Sequence, residues 1–506
     1  MDALFIPLAQ AAGASVDQIK LISCLLVAFP LGSVFVRIPS SKPHLKHFFN
    51  IAIAVFFFLP VLQIPHAFFQ LLASVVAAYA IARFHTGPSM PWVVFVVTMG
   101  HLTVNHTIRY LQAQSYETMD VTGPQMVLTM KLTTFAWNVY DGRRSLQDLD
   151  KWQTSKRIPA FPSLLEFLGY AFYFPGVLVG PYLEFVDYME LITEKLYEGH
   201  VKENAKRNLP SGRKRVAYRK MVEGLLYLAI FVLLGAKYNF ATILTPWFAE
   251  QSMWYRLICF QPYGTLERCK YYAVWTLTEG ASILTGLGFT GYDASGASTW
   301  TGAANVVPSA IEIPSNFKVL LDSWNMKTNV WLRECVYKRV TPKGQKPGFA
   351  SSMITFATSA FWHGVAGGYY LTFILGGFIT TAGRLARANI RPLVLPAEGQ
   401  APSLAKHAYD LAGTLATVMM VNYVAVPFML LTVQDSLRAW YRLAFHGHVL
   451  VFSALGFFYA GGARMLRAKS GKGKGKEKAG SGATTPVGEK TFTMPPSLDS
   501  VMPPRK

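Results

Sequence analysis

The chain has 506 residues, 52% of them hydrophobic and only 15% charged, against roughly 25% charged in an ordinary soluble domain. The apolar excess gathers into windows near the roughly 20 residues that cross a hydrocarbon core, which argues against a string of soluble domains and for an all-α, polytopic membrane protein. The formal net charge of +20 comes from short basic runs between those windows and from the C-terminal tail, the pattern of loops beside anionic lipid, so nucleic acid is not an expected partner.

Residues 1–20 read as a short amphipathic segment, 21–465 as the membrane domain, and 466–506 as a basic cytosolic tail too rich in Gly, Lys, Ser and Pro to order itself. No cationic region or small-residue cleavage site precedes the first apolar window, so that window is expected to act as an insertion signal that sends the protein to the endoplasmic reticulum membrane. Spanning candidates lie at 21–37, 47–64, 67–84 and 90–111, with Arg37, Lys42 and Lys46 marking a cytosolic loop. In the fourth candidate His101, Asn105 and Arg109 share one helical face, which predicts that this face looks into the protein. An apolar helix follows with Lys131 inside it, a lysine expected to pair with Asp120, Asp141 or a lipid phosphate, or to snorkel.

Residues 143–161 form a basic amphipathic stretch, and 195–220 the strongest internal basic cluster, including Lys202, Lys206, Arg207, Arg213 and Lys220. Between them, 162–191 is broken by Pro175, Gly180 and Pro181, so a re-entrant hairpin lining a cavity fits better than one span. Further spans are expected at 221–237, 238–249 and 271–289, the last with Glu279 mid-window as a cavity or pairing residue. The last spans fall at 408–432 and 447–463. Cys24, Cys259, Cys269 and Cys335 show no metal spacing; Cys259 and Cys269 are either two free thiols or a pair in a lumenal loop.

The stretch Ser323–Gly383 has unlike ends. It opens as Ser323-Trp324-Asn325-Met326-Lys327-Thr328-Asn329-Val330-Trp331 and closes as an apolar run from Phe349 that holds one histidine, in Ser359-Ala360-Phe361-Trp362-His363-Gly364. A histidine placed in an apolar run is expected to be neutral and hence basic, while Asn325 offers a donor and acceptor without charge. Residue types alone leave three roles open for His363: a structural hydrogen-bonding group, a haem or metal ligand, or a general base. Gly364, Gly367 and Gly368 predict close approach of a ligand or another chain segment.

These two motifs, 38 positions apart from Asn325 to His363, resemble the membrane-bound O-acyltransferase family. The resemblance extends to Asp120-Val121-Thr122-Gly123-Pro124-Gln125-Met126, Asn138-Val139-Tyr140-Asp141-Gly142 and Leu168-Gly169-Tyr170-Ala171-Phe172-Tyr173-Phe174, segments similar to its lysophospholipid acyltransferase branch. It implies a single bundle of about eleven helices, each needing roughly 20 residues to cross, around a buried chamber with re-entrant and amphipathic helices. It also implies acyl transfer from acyl-CoA to the sn-2 hydroxyl of a lysophospholipid, with His363 as the base and Asn325 positioning it or stabilising developing charge. Trp324, Thr328, Trp331, Trp362, Lys131 and Glu279 are candidate substrate contacts, and Lys338, Arg339 and the Lys343 to Lys346 region candidate phosphate contacts. The implied partners are acyl-CoA, lysophospholipid and membrane lipids, with no metal and no cofactor beyond the acyl-CoA co-substrate. Two rivals are a family member acting on diacylglycerol, a sterol or a protein, and a transporter in which His363 is structural.

Overall fold

The computed structural model describes residues 2–114, 118–200, 209–235, 237–341, 345, 348–396 and 399–469. Lys202, Lys206, Arg207, Lys343, Lys346 and the tail beyond Lys469 lie outside the described residues. The chain begins with α1 (Asp2–Ala12), α2 (Val16–Phe35), α3 (Pro43–Phe56, prolonged by a π turn to Val61), α4 (Pro65–Phe84), α5 (Met90–Leu111) and α6 (Thr122–Gly142). Three short helices follow, α7 (Lys151–Lys156), α8 (Leu164–Ala171) and α9 (Phe185–Thr193), then α10 (Arg213–Ile230), α11 (Pro246–Glu250), α12 (Met253–Cys259) and α13 (Gln261–Leu284). After the antiparallel hairpin of β1 (Gly291–Tyr292) and β2 (Ser298–Thr299) come α14 (Pro308–Glu312), α15 (Phe317–Ser323), α16 (Met326–Leu332), α17 (Phe349–His363) and α18 (Gly367–Asn389). The C-terminal helices are α19 (Leu404–Leu430), α20 (Val433–Arg442), α21 (His446–Phe457) and α22 (Ala463–Lys469), so helix persists past the expected tail boundary at 465.

Among the described residues six helical stretches are long and apolar enough to cross a membrane by length and composition. Helices α5, α6, α13 and α18 have comparable lengths of 22, 21, 24 and 23 residues but carry more polar or small residues. Contacts gather into two units, Met1–Val232 with Cys269–Val306, and Leu233–Arg268 with Val307–Lys506. Such a division comes from long-range packing and leaves no local signal. No disulfide links Cys24, Cys259, Cys269 or Cys335.

In the first unit α5 is polar inside and apolar outside. Val96 and Val104 are exposed at 67% and 55%, whereas Thr98 and Asn105 are buried; that inversion suits lipid as the surrounding solvent. The expected inward face is met group by group. His101 Nδ1 lies 2.7 Å from the Ser74 hydroxyl, Asn105 Nδ2 donates to Gln125 Oε1 at 2.8 Å, and Arg109 pairs with Asp120 at 2.6 Å. Helix α6 is buried along almost its whole length, and its Thr129 and Thr133 hydroxyls donate back to carbonyls four residues earlier, which makes polar side chains affordable in an apolar core.

The stretch 162–191 is not one span. A reciprocal capping box between Ser163 and Glu166 starts α8, which ends at Ala171; the chain then turns through Phe174–Gly176 before α9. Both short helices pack on α3, with the Tyr188 hydroxyl 2.8 Å from His47 Nδ1. The break leaves carbonyls at the end of α8 without intrahelical donors. Lys131 meets them: its Nζ donates to the carbonyls of Tyr170 at 2.8 Å and Ala171 at 3.1 Å. Asp120 and Asp141, the expected partners, pair with Arg109 and Arg144 instead. Lys131→Ala should therefore lower the stability of the detergent-solubilised protein by about 1–3 kcal/mol, the cost of leaving buried acceptors unmet, read as a fall in thermal midpoint relative to the wild type.

Candidate active site

The residues around Asn325 and His363 all belong to the second unit. Asn325 precedes α16 with φ 44° and ψ 52°, a left-handed conformation that asparagine tolerates better than most side chains. Its carbonyl accepts the Asn329 amide at 3.1 Å, and its side-chain Oδ1 accepts the Thr328 hydroxyl at 2.8 Å. That bond makes Oδ1 the accepting end of the carboxamide and Nδ2 its donating end. Asn329 Nδ2 in turn donates to the carbonyls of Leu321 and Trp324, holding the end of α15 and the linker against α16.

The apolar run from Phe349 to Gly383 falls into two helices. Helix α17 stops at His363, because Gly364 takes φ 139°, a value that only glycine adopts readily. The chain then reverses into α18, which packs on α17. His363 is thus the terminal residue of a helix at a tight turn and is partly buried, where sequence suggests full burial. Its ring is boxed by aromatic side chains: Trp362 at 4.7 Å between centroids, Phe373 nearly parallel at 5.1 Å, Phe428 edge-on at 4.9 Å and Tyr369 at 5.6 Å. Phe373 and Tyr369 come from α18 and Phe428 from α19. These rings were not legible as a group, since they come from three places in an apolar background.

The two motifs are joined by tryptophans. Trp331, fully buried on α16, lies 5.7 Å from Trp362, the residue before His363. Thr328, whose hydroxyl donates to the Asn325 carboxamide, and Trp331 are three residues apart on α16, so one face of that helix meets both the carboxamide and α17. The contact between Trp331 and Trp362 joins the two helices. The predicted close approach at the glycines is to another chain segment. A Cβ on Gly368 would stand 2.1 Å from the Pro427 carbonyl oxygen, and the Gly368 amide donates to the Leu431 carbonyl at 2.6 Å.

Beyond α16 the helix widens into a π turn, Arg333–Tyr337, around a residue that sequence reasoning missed. Glu334 is 1% exposed, and its carboxylate accepts Arg333 Nε at 2.7 Å and Lys338 Nζ at 2.6 Å, while its carbonyl accepts Arg339 Nε at 3.1 Å. The expected phosphate contacts Lys338 and Arg339 are thus gathered by one buried acid. The i, i+4 spacing of Glu334 and Lys338 was the available signal. On α15, burial pushes the Asp322 carboxyl up while its partner Lys318, 2.6 Å away, pulls it down; the net shift is upward.

Lys131 and Glu279 fall in the first unit, each with a partner there. Glu279 is 2% exposed and its carboxylate lies 3.2 Å from Lys220 Nζ. Both charges are engaged by protein groups.

Residues 108–426 match the family model for MBOAT, the membrane-bound O-acyltransferase family, and that span contains Asn325, His363 and three of the four rings around it, those of Trp362, Tyr369 and Phe373. The chain belongs to the membrane-bound O-acyltransferase family. It is 38% identical over 448 residues to the Lysophospholipid acyltransferase of Schizosaccharomyces pombe, covering 88% of this chain and 87% of that one. It is 37% identical to the Lysophospholipid acyltransferase of Saccharomyces cerevisiae, over 86% of this chain and 72% of the relative. Membrane-bound glycerophospholipid O-acyltransferase 1 of Mus musculus is 30% identical over 88% of this chain and 90% of its own length. Membership in this family, with the long apolar helices, makes the protein a multi-pass membrane O-acyltransferase.

Gly368→Ala should be destabilising by about 1–3 kcal/mol, because backbone atoms of α19 cannot give way as a flexible side chain would. A lower thermal midpoint, with less folded protein recovered from membranes, is the expected result; an unchanged midpoint would contradict the packing described.

Proposed function

We propose that this member of the membrane-bound O-acyltransferase family transfers an acyl group from acyl-CoA to the free sn-2 hydroxyl of a lysophospholipid, with His363 as general base and Asn325 as its polar partner. The observation that carries the reading is the imidazole at a glycine-ended helix terminus, boxed by aromatic rings and linked through Trp362 and Trp331 to the helix that Asn325 begins. The named activities of the fungal relatives supply the substrate class.

In the proposed reaction the imidazole takes the proton of the sn-2 hydroxyl as its oxygen attacks the thioester carbonyl. The tetrahedral intermediate expels the CoA thiolate, and the imidazolium returns the proton to that sulfur. A thioester is already an activated donor, so no enzyme nucleophile is needed, and neither a metal nor a cofactor enters the scheme. The transient imidazolium would be stabilised by the π face of Phe373. Asn325 Nδ2 would donate to the oxyanion or to the attacking hydroxyl. Lys338 and Arg339, gathered by Glu334, are the proposed contacts for CoA phosphates, with charge-assisted hydrogen bonds as the attraction. The site is assigned to the endoplasmic reticulum membrane, with the basic tail on the cytosolic side.

With purified protein, acyl-CoA and a panel of lysophospholipids, His363→Ala should reduce CoA release by about 10²- to 10⁴-fold, the usual contribution of a positioned base. Undiminished turnover in a folded His363→Ala protein would remove His363 from the chemistry. Asn325→Ala should lower kcat by about 10²- to 10³-fold, as loss of an oxyanion donor does. Single-turnover reactions quenched in acid should contain no covalent acyl-protein; a trapped one would refute direct attack by the lipid hydroxyl.

A further inference from the structure

The first unit contains a cavity of about 280 Å³ that the acyl-transfer scheme does not use. It is lined by Val36, Arg37, Ile38 and Ser40 from the turn after α2, by Lys46 from the first turn of α3, and by Leu191, Glu194, Tyr197, Leu209 and Thr285. Lys46 is 2% exposed, a costly place for an ammonium. Of its three N–H donors, one goes to the Ile192 carbonyl at 3.1 Å and one to Glu194 Oε1 at 2.9 Å. The third has no hydrogen-bond acceptor among the described residues, although the ammonium lies 5.7 Å from the Phe35 ring. Arg37, also on the cavity wall, is exposed and makes no ion pair among the described residues. The Glu194 carboxylate is already shared with Lys46, so the described lining carries excess positive charge from Arg37.

We propose that this cavity is a binding site for a phosphate group, clamped by the Arg37 guanidinium and the spare donor of Lys46, with the Ser40 hydroxyl as a further contact. A guanidinium fork can bind two phosphate oxygens at once, and a buried ammonium supplies a point charge. The volume lies at the small end of ligand pockets, suited to a phosphate with its adjoining sugar or glycerol and not to a whole nucleotide carrying its pantetheine. Two sources have this chemistry: the terminal phosphates of a CoA thioester, and the headgroup of a phospholipid.

The test is binding, not turnover, so it is independent of the role assigned to His363. Full-length protein in detergent would be titrated with free CoA and separately with dihexanoylphosphatidic acid below its micellar concentration, for the wild type, Arg37→Gln and Arg37→Lys. Loss of one charge-assisted contact should raise the Kd of at least one probe about tenfold in Arg37→Gln, with a smaller rise in Arg37→Lys. Because Arg37 is exposed, the unliganded thermal midpoint of both variants should match the wild type. Weakening confined to CoA assigns the pocket to the acyl donor; weakening confined to phosphatidic acid assigns it to lipid; weakening of both supports a phosphate site that accepts either. Equal Kd values for wild type and Arg37→Gln with both probes would overturn the proposal.

Discussion

The geometry of the candidate site depends on a backbone approach with no room for a side chain. Gly368 lies against Pro427 and Leu431 so closely that a methyl group would overlap a carbonyl oxygen, and the amide of Gly368 closes a hydrogen bond across the gap. That contact fixes where α18 starts relative to α19, and α18 and α19 supply three of the four rings around His363. Gly364 completes the device by ending α17 at the histidine itself. Two glycines and a hydrogen bond thus decide what the imidazole faces, since a β-carbon at Gly368 would overlap the Pro427 carbonyl.

Charge placement within each unit follows a second constraint: a buried ionisable side chain costs stability unless partners meet it. Lys131, Glu279 and Glu334 obey it in three ways. Lys131 takes two carbonyls at the end of a broken helix, Glu279 takes one lysine, and Glu334 takes a lysine and an arginine and lends its carbonyl to another. The first gives a physical reason for the irregular backbone at 162–191: α8 can stop at Ala171 because a lysine from α6 caps it. The third gathers cations beyond the end of α16.

Helical periodicity made the inward face of α5 legible, and the structure supplies a partner for each of His101, Asn105 and Arg109. Proline and glycine spacing likewise revealed that 162–191 could not be straight. What stayed hidden was set by contacts between distant segments. An apolar run from Phe349 to Gly383 has no charge to mark its midpoint, and the glycines inside it are equally compatible with a close-packed straight helix. Phe373 and Phe428 are ordinary apolar residues until the turn at Gly364 brings them around the histidine. Glu334 was hidden for the opposite reason: an acid among basic neighbours reads as surface charge, and only its burial shows that it organises them.

The chemistry expected of this site asks little of the residues that perform it, which explains why so few of them are conspicuous. Moving an acyl group from a thioester to an alcohol needs one proton taken up and later returned, and one developing negative charge held. An imidazole can do the first and a carboxamide the second, each without a permanent charge that membrane depth would penalise. In the proposed reaction the face of Phe373 would meet the transient imidazolium. Asn325 takes a left-handed backbone conformation, and the Thr328 hydroxyl donates to its Oδ1, so the orientation of the carboxamide is set at the residue whose proposed task is to meet charge only when it appears.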